Sequence, residues 1–394
     1  MERYKSISIM GRKSSQLTIS VFISVFLALA LSGAFITLRT AEASCGSVTC
    51  FVVIGSQQQV SPKGLLTVNA FYNYTPQGTL LSGTDGVIPA VDLDNRQLIL
   101  GHHKEIRTIT QMYTLDLNYG VTDRFGIEVA IPYKKIKHRH FDGLGEVNGG
   151  AGEETRFSDN GFGDVFINAK YNILPSLRSL LVTGVGVYVP TGDHNQTTAG
   201  LEGAETMEPT AQVGRGQVGV QASFYQAYEL IPHRLNQFTS GSYRHTFRNN
   251  FGYQFGDQFD FSLGANLVTV PWLVLTNQFN FRYMMRDHYR GSLARSQTPS
   301  DPTFPDEVIV LDENIRSRSV PTTGSTYFAY TPGFQVSLGD LIQTTLNVKT
   351  PLTDNTSLYF YAQVPVYRDF NGNLAQGVSY VFGVTKVFQV LNPS

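Results

Sequence analysis

Along much of this chain, apolar and polar residues change places at every step. Phe125, Ile127, Val129, Ile131 and Tyr133 alternate with Gly126, Glu128, Ala130 and Pro132. Side chains on a strand point to opposite faces in turn, so this window builds one greasy face and one small or polar face. Tyr113, Leu115, Leu117 and Tyr119 likewise oppose Thr114, Asp116 and Asn118. The pattern recurs where Val165, Ile167, Ala169, Tyr171 and Ile173 oppose Asp164, Asn168, Lys170 and Asn172. It returns again in Phe259–Leu267 and in Leu275–Tyr283. About twelve strands are predicted, near 64–74, 107–120, 125–135, 162–173, 178–190, 214–230, 238–254, 258–270, 273–288, 325–338, 356–367 and 376–390. Many reach the roughly 10 residues that a tilted strand needs to cross a bilayer. Segment 339–355 is ambiguous and could add a strand.

Connections after odd strands are long, at 75–106, 136–161, 191–213 and 289–324. Those after even strands are mostly short, as in Thr122-Asp123-Arg124, Pro175-Ser176-Leu177 and Pro271-Trp272. Outer-membrane barrels have long external loops and short periplasmic turns, in an even number of strands. Two connections depart from this rule: the short outer turn at Gly256-Asp257 and the long inner segment 339–355. A soluble β-sandwich also alternates. Against it, the polar face here is small or amide-bearing rather than densely charged. Aromatics also gather near strand ends, at Tyr119, Phe125, Tyr133, Tyr171, Tyr253, Phe259 and Tyr283, as an interfacial girdle requires. The expected fold is therefore all-β: a transmembrane antiparallel up-and-down β-barrel of about 12 strands, preceded by a signal peptide.

Composition agrees with this. Only 15% of the 394 residues are charged, while Phe and Tyr number 26 and 20 and Gly 37. A net charge of −1 leaves no basic footprint for nucleic acid. Arg3, Lys5, Arg12 and Lys13 precede an apolar run from Ile19 to about Leu38, and Ala41-Glu42-Ala43 supplies a small-residue cleavage site. Residues 1–43 thus read as a signal peptide, 44–63 as a periplasmic N-terminal segment, and 64–394 as the barrel. Cys45 and Cys50 lie in the exported segment, where an oxidising compartment favours a disulfide between them. Their spacing is neither C-x-x-C nor a haem-attachment motif. No cofactor is expected.

Val129-Ala130-Ile131-Pro132, Gly186-Val187-Tyr188-Val189-Pro190 and Ala362-Gln363-Val364-Pro365 each end an upward strand and read as rim markers. Gly161-Phe162-Gly163-Asp164-Val165, leading to Ala169-Lys170-Tyr171 and then Val189-Pro190-Thr191-Gly192-Asp193, resembles an outer-membrane transporter family found with phenol meta-cleavage pathways. The run from Val364-Pro365-Val366-Tyr367 through Gly372 to Gly383 is similar too. The resemblance spans most of the chain beyond the signal peptide. It implies a bacterial outer-membrane β-barrel that moves small organic solutes, and it brings no catalytic residues. Such barrels often finish on a terminal aromatic; here Tyr380, Phe382 and Phe388 are followed by Leu391-Asn392-Pro393-Ser394. The expected partners are membrane lipid, a small-molecule solute and the outer-membrane assembly machinery, with a homo-oligomer left open.

With the polar face taken as the lumen, Asp116, Glu128, Asp164 and Lys170 line one wall. Arg244, Arg248, Arg282 and Arg286 line the facing one. Tyr188, Tyr225, Tyr327, Tyr359, Tyr361 and Tyr367 point inward on the same register. A transverse field orients dipolar solutes, and tyrosines suit aromatic or sugar-like ones. The alternative is that these charges pair across the bore and plug it, leaving a structural or interaction barrel. His102-His103 and His138-x-His140 lie near the outer loops, where close imidazoles could hold a divalent metal, although loop histidines are usually just solvated. A wall-borne hydrolase finds little support: His245 and Asn249 share a predicted outer face, but Phe247 stands between them and no G-x-S-x-G elbow occurs.

Overall fold

The structure is a computed structural model. It describes residues 51–394 except 53–54, 81–87, 95, 143–152, 177, 201–202, 296–309, 313–317, 322, 349, 372–373 and 392–394. The signal peptide 1–43 and the Cys45–Cys50 pair lie outside the described residues. Twelve strands form the barrel: β1 (Leu65–Leu80), β2 (Gln97–Gly120), β3 (Phe125–Asp142), β4 (Val165–Asn172), β5 (Ser179–Val189) and β6 (Gly219–Ile231) come first. They are followed by β7 (Leu235–Thr246), β8 (Gln258–Val270), β9 (Leu273–Met284), β10 (Ser325–Ser337), β11 (Thr356–Asp369) and β12 (Ser379–Gln389). Each pairs antiparallel with the next. The ring closes where β12 pairs with β1, from Gln389↔Leu65 to Tyr380↔Tyr74. Closure matters because hydrocarbon offers no hydrogen bonds to an open edge.

The two faces differ as the alternation requires. On β9, Leu275, Phe279, Phe281 and Tyr283 are exposed, whereas Thr276, Gln278, Asn280 and Arg282 are buried. Phe162 and Val185 are 62% and 68% exposed. Such surface is costly in water and is covered by lipid in a membrane. Tyr72, Tyr113, Tyr133 and Phe162 lie side by side in the ladder, as do Tyr243, Phe259 and Tyr283. These two rows form an aromatic girdle at the loop-rich end, which we take as the outer one. Among the described residues, no helix is long and apolar enough to cross a membrane.

Glycines make room for tyrosines in the wall. Gly333 pairs with Tyr361, and Gly383 pairs with Tyr359. A Cβ built on Gly333 would lie 2.1 Å from the Tyr361 ring, and one on Gly383 would lie 2.5 Å from the Tyr359 ring. A residue without a side chain is what lets each ring lie against the neighbouring strand.

Several sequence expectations need correction. Segment 339–355 adds no strand: α2 (Leu338–Leu346) starts there and ends at Asn347, which adopts a left-handed φ of 53°. β7 stops at Thr246, so 247–257 is a true outer loop and the expected short turn at Gly256-Asp257 disappears. Tyr253 is not a girdle residue. It is buried among outer-loop side chains with Val91, Leu93, Leu98, Phe255, Tyr289 and Val320. Tyr367 was expected inward but is 53% exposed. The cause is a bulge: Phe328 pairs with Tyr367 and Ala329 with Pro365, so Val366 is an extra residue and every later side chain changes face.

The largest departure concerns the segment before β1. Its described part, from Phe51 with the short helix α1 (Gly55–Gln58), runs inside the barrel rather than below it. At the base, Ser61 Oγ donates to Asn118 O at 3.0 Å and Asn118 Nδ2 donates to Gln59 O at 2.8 Å. Val60 packs by Val182, Tyr225 and Phe238, and Lys170 Nζ donates to Gln57 O. Further up, Val52 packs on Tyr359, Tyr361 and Val381. Phe51 reaches Tyr327 and Phe370, and its carbonyl accepts from Gln363 Nε2 at 2.8 Å.

Candidate functional site

A cavity of about 280 Å³ remains between this internal segment and the wall. Its lining comes from strands β3 to β9, from the outer loop at Arg215, and from Phe51, Val52 and Gln58 of the segment. The wall strands bring polar side chains here because every second residue faces inward. Ser223, Ser240, Ser242 and Ser262 supply hydroxyls, and Asn168 and Gln221 supply amides.

Among the described residues, the Glu128–Lys170 and Asp260–Arg282 pairs join neighbouring strands. On β3 and β4, Lys170 Nζ lies 2.9 Å from Glu128 Oε2, which also accepts from Asn168 Nδ2 at 2.9 Å. Asp116 sits beside them on β2 and accepts from Asn69 Nδ2 at 3.1 Å. On the facing arc, Arg282 Nε donates to Asp260 Oδ1 at 2.7 Å. The guanidinium of Arg282 also lies over the Phe51 ring, 4.0 Å from its centroid. Arg244 stands over the Tyr188 ring at 4.7 Å. Tyr188 in turn stacks on Phe166, with centroids 4.5 Å apart, and its hydroxyl donates to Gln221 Oε1 at 3.0 Å.

The outcome for the expected wall residues is mixed. Asp116, Glu128, Lys170, Arg282, Tyr225, Tyr359 and Tyr361 are buried inside the barrel, and Tyr188 and Arg244 line the cavity. Tyr327 is buried as well, against Phe370 rather than in the cavity. Asp164 precedes β4 and holds loop backbone instead, accepting from Gly192 N at 3.2 Å and Arg215 N at 3.0 Å. Arg248 and Arg286 were expected in the wall but lie beyond the ends of β7 and β9 and are exposed. Strands end where the aqueous loops begin, so continuing a strand's alternation past its end misplaces them. Among the cavity residues that the sequence did not single out are Phe51, Phe166, Arg215 and Asp260. Asp260 was legible, since it lies two residues from each of two polar partners on the same face of β8. Phe51 and Arg215 had no periodic signal, because both lie outside strands.

Chemically, the cavity presents two opposed surfaces. On the β3–β4 arc, Lys170 matches the Glu128 carboxylate. The other side carries Arg215, Arg244 and Arg282 against Asp260, so guanidinium is in excess. Flat aromatic faces at Phe166, Tyr188 and Phe51 adjoin it. Guanidinium recognises carboxylate or phenolate oxygens, and the rings accept a planar apolar body.

An outer-membrane channel from Pseudomonas putida F1 superposes with a TM-score of 0.51 at 13% identity, covering 86% of this chain and 100% of that one. The transport unit of an Escherichia coli autotransporter, AIDA-I, gives 0.41 at 10% identity, covering 86% and 93%. The Ralstonia pickettii toluene transporter TbuX gives 0.38 at 8% identity, covering 84% and 90%. No curated protein matches the sequence. The chain is thus a closed twelve-stranded antiparallel β-barrel with the fold of that outer-membrane channel, and its residues 105–282 match the family model described as "Putative MetA-pathway of phenol degradation".

Proposed function

We propose that this barrel is a passive outer-membrane channel for small polar or aromatic solutes, with the cavity beside Arg244 as its binding station. The observation that carries this reading is the pairing of excess guanidinium with stacked rings inside a closed, lipid-facing barrel. A small aromatic acid or phenol suits both: its ring against Phe166 and Tyr188, its oxygen toward Arg244 or Arg215. The family description, which names phenol degradation, agrees in chemical class. Segment 51–61 narrows the path, so passage requires it to shift within the bore.

Planar-bilayer recording of the folded protein tests this. The channel reading expects discrete, ion-selective steps, and benzoate reducing the small-ion current in a concentration-dependent way. A barrel that shows heat-modifiable gel migration, and is therefore folded, but stays silent with the segment both intact and removed defeats it. That result would favour the second reading, a structural barrel with partner-binding loops, for which the occupied bore is the supporting observation.

A further inference from the structure

Above the girdle, the walls of β2 and β3 continue beyond the membrane and bring three metal-ligating side chains together. His138 and His140 are two residues apart on β3 and so share a face. Glu105 is the direct ladder partner of His140 on β2. A bulge between Glu105 and Arg107 resets the alternation of β2, so that Glu105 and Thr108 are both buried there. The donor atoms converge: His138 Nε2 lies 2.8 Å from His140 Nδ1 and 3.1 Å from a Glu105 carboxylate oxygen. All three lie within 4.8 Å of one another.

The surroundings orient these donors. Thr108 Oγ1 is 2.8 Å from His138 Nδ1, which fixes that ring and directs Nε2 at the other two groups. Metal-bound histidines almost always engage their second nitrogen in this way. The Phe157 ring packs on both imidazoles, with centroids 4.7 Å from His138 and 5.9 Å from His140. His138 lies five residues past Tyr133, about 17 Å along the strand at about 3.3 Å per residue. The cluster is therefore in the outer aqueous region, apart from the cavity.

We infer that Glu105, His138 and His140 form a binding site for a divalent first-row transition metal. Two imidazoles and one carboxylate are the donor set for Zn²⁺ or its neighbours in the series, and disfavour the oxygen-preferring Ca²⁺ and Mg²⁺. Ligands about 2.0–2.2 Å from a tetrahedral ion stand about 3.3 Å apart. The donors need only small rotations from their present separations to reach that. With three protein ligands, one position stays open to water or an external ligand. Bound metal would pin β2 to β3 across the base of the loop that joins β3 to β4.

The test uses the full, untagged chain, refolded in detergent and stripped with EDTA. It is titrated with Co²⁺ while visible absorption is followed, and then with Zn²⁺ as competitor. The expected result is one equivalent of Co²⁺ per barrel, displaced by Zn²⁺ and not by Ca²⁺. Glu105→Gln and His138→Gln should each weaken binding more than about 100-fold, since losing even an outer-shell partner costs about 10–100-fold. Should His138→Gln fail to fold by gel migration, His140→Gln at the half-buried ring carries the same expectation. Absence of a stoichiometric band overturns the site. So does a band unchanged in the Glu105→Gln/His138→Gln double variant, which would place the metal elsewhere.

Discussion

Arg282 holds Phe51 from above, its guanidinium 4.0 Å from the ring centroid while its Nε donates to Asp260 at 2.7 Å. One wall residue therefore grips the internal segment and is itself fixed by the next strand. A desolvated cation–π contact is worth about 2 kcal/mol, which is enough to bias the segment's position strongly.

Phe51→Ala should loosen that grip. The expected outcome is a rise of roughly tenfold in the open fraction seen in bilayer recordings, from a loss of about 1–2 kcal/mol. Unchanged currents in Phe51→Ala, and again in Phe51→Ala/Val52→Ala, would show that the segment does not limit passage.

Selectivity should follow Arg244. Its guanidinium lies on an aromatic ring, so Arg244→Glu reverses a charge in the cavity without dismantling the Glu128–Lys170 or Asp260–Arg282 pairs. The reversal potential in a salt gradient should move toward cation preference. Arg286→Glu, at an exposed position beyond β9, should move it far less. Equal shifts from both would contradict the cavity assignment.

The outer loops should tighten at acid pH. Asp287 is buried, and burial raises its carboxyl to about 6, against smaller opposing effects from Tyr253, the Gly256 N–H and His288. Tyr253 Oη donates to it at 2.5 Å and Gly256 N at 2.6 Å. Its pKa is raised on folding, so the folded loops bind a proton that the opened loops release. Stability from this group is fully present below about pH 4 and falls as pH rises through about 6, by roughly 3 kcal/mol in all. Amide exchange at Tyr253 and Gly256, corrected for intrinsic rates, should be slower at pH 5 than at pH 7.5. Asp287→Asn should remove that difference.

Gly333→Val and Gly383→Val should impair barrel formation. Each new side chain collides with a tyrosine ring already lying against the backbone. Overpacking of this kind costs about 1–3 kcal/mol or more. Folded yield by heat-modifiable migration should drop in both, and Gly333→Val/Tyr361→Ala should recover part of it.

The strand count, the lipid-facing set and most inward residues could be read from alternation alone, because a half-buried strand leaves a two-residue period. Three things could not. Residues Lys134 to His140 carry six basic or imidazole groups outside the greasy band, so their strand looked like loop. The bulge at Val366 leaves no compositional mark, yet it flips Tyr367. The segment around Phe51 has too short a pattern to reveal whether it lies below the barrel or within it, since its contacts depend on strands hundreds of residues later, such as Gln363.

The Glu128–Lys170 and Asp260–Arg282 pairs each link neighbouring strands within one arc of wall. On the proposed channel reading, a molecule travelling along the axis leaves these two links unbroken. On the same reading, resistance to transit would gather in the internal tail that the cylinder clasps, and tuning a handful of clasping side chains would change throughput while leaving the shell intact.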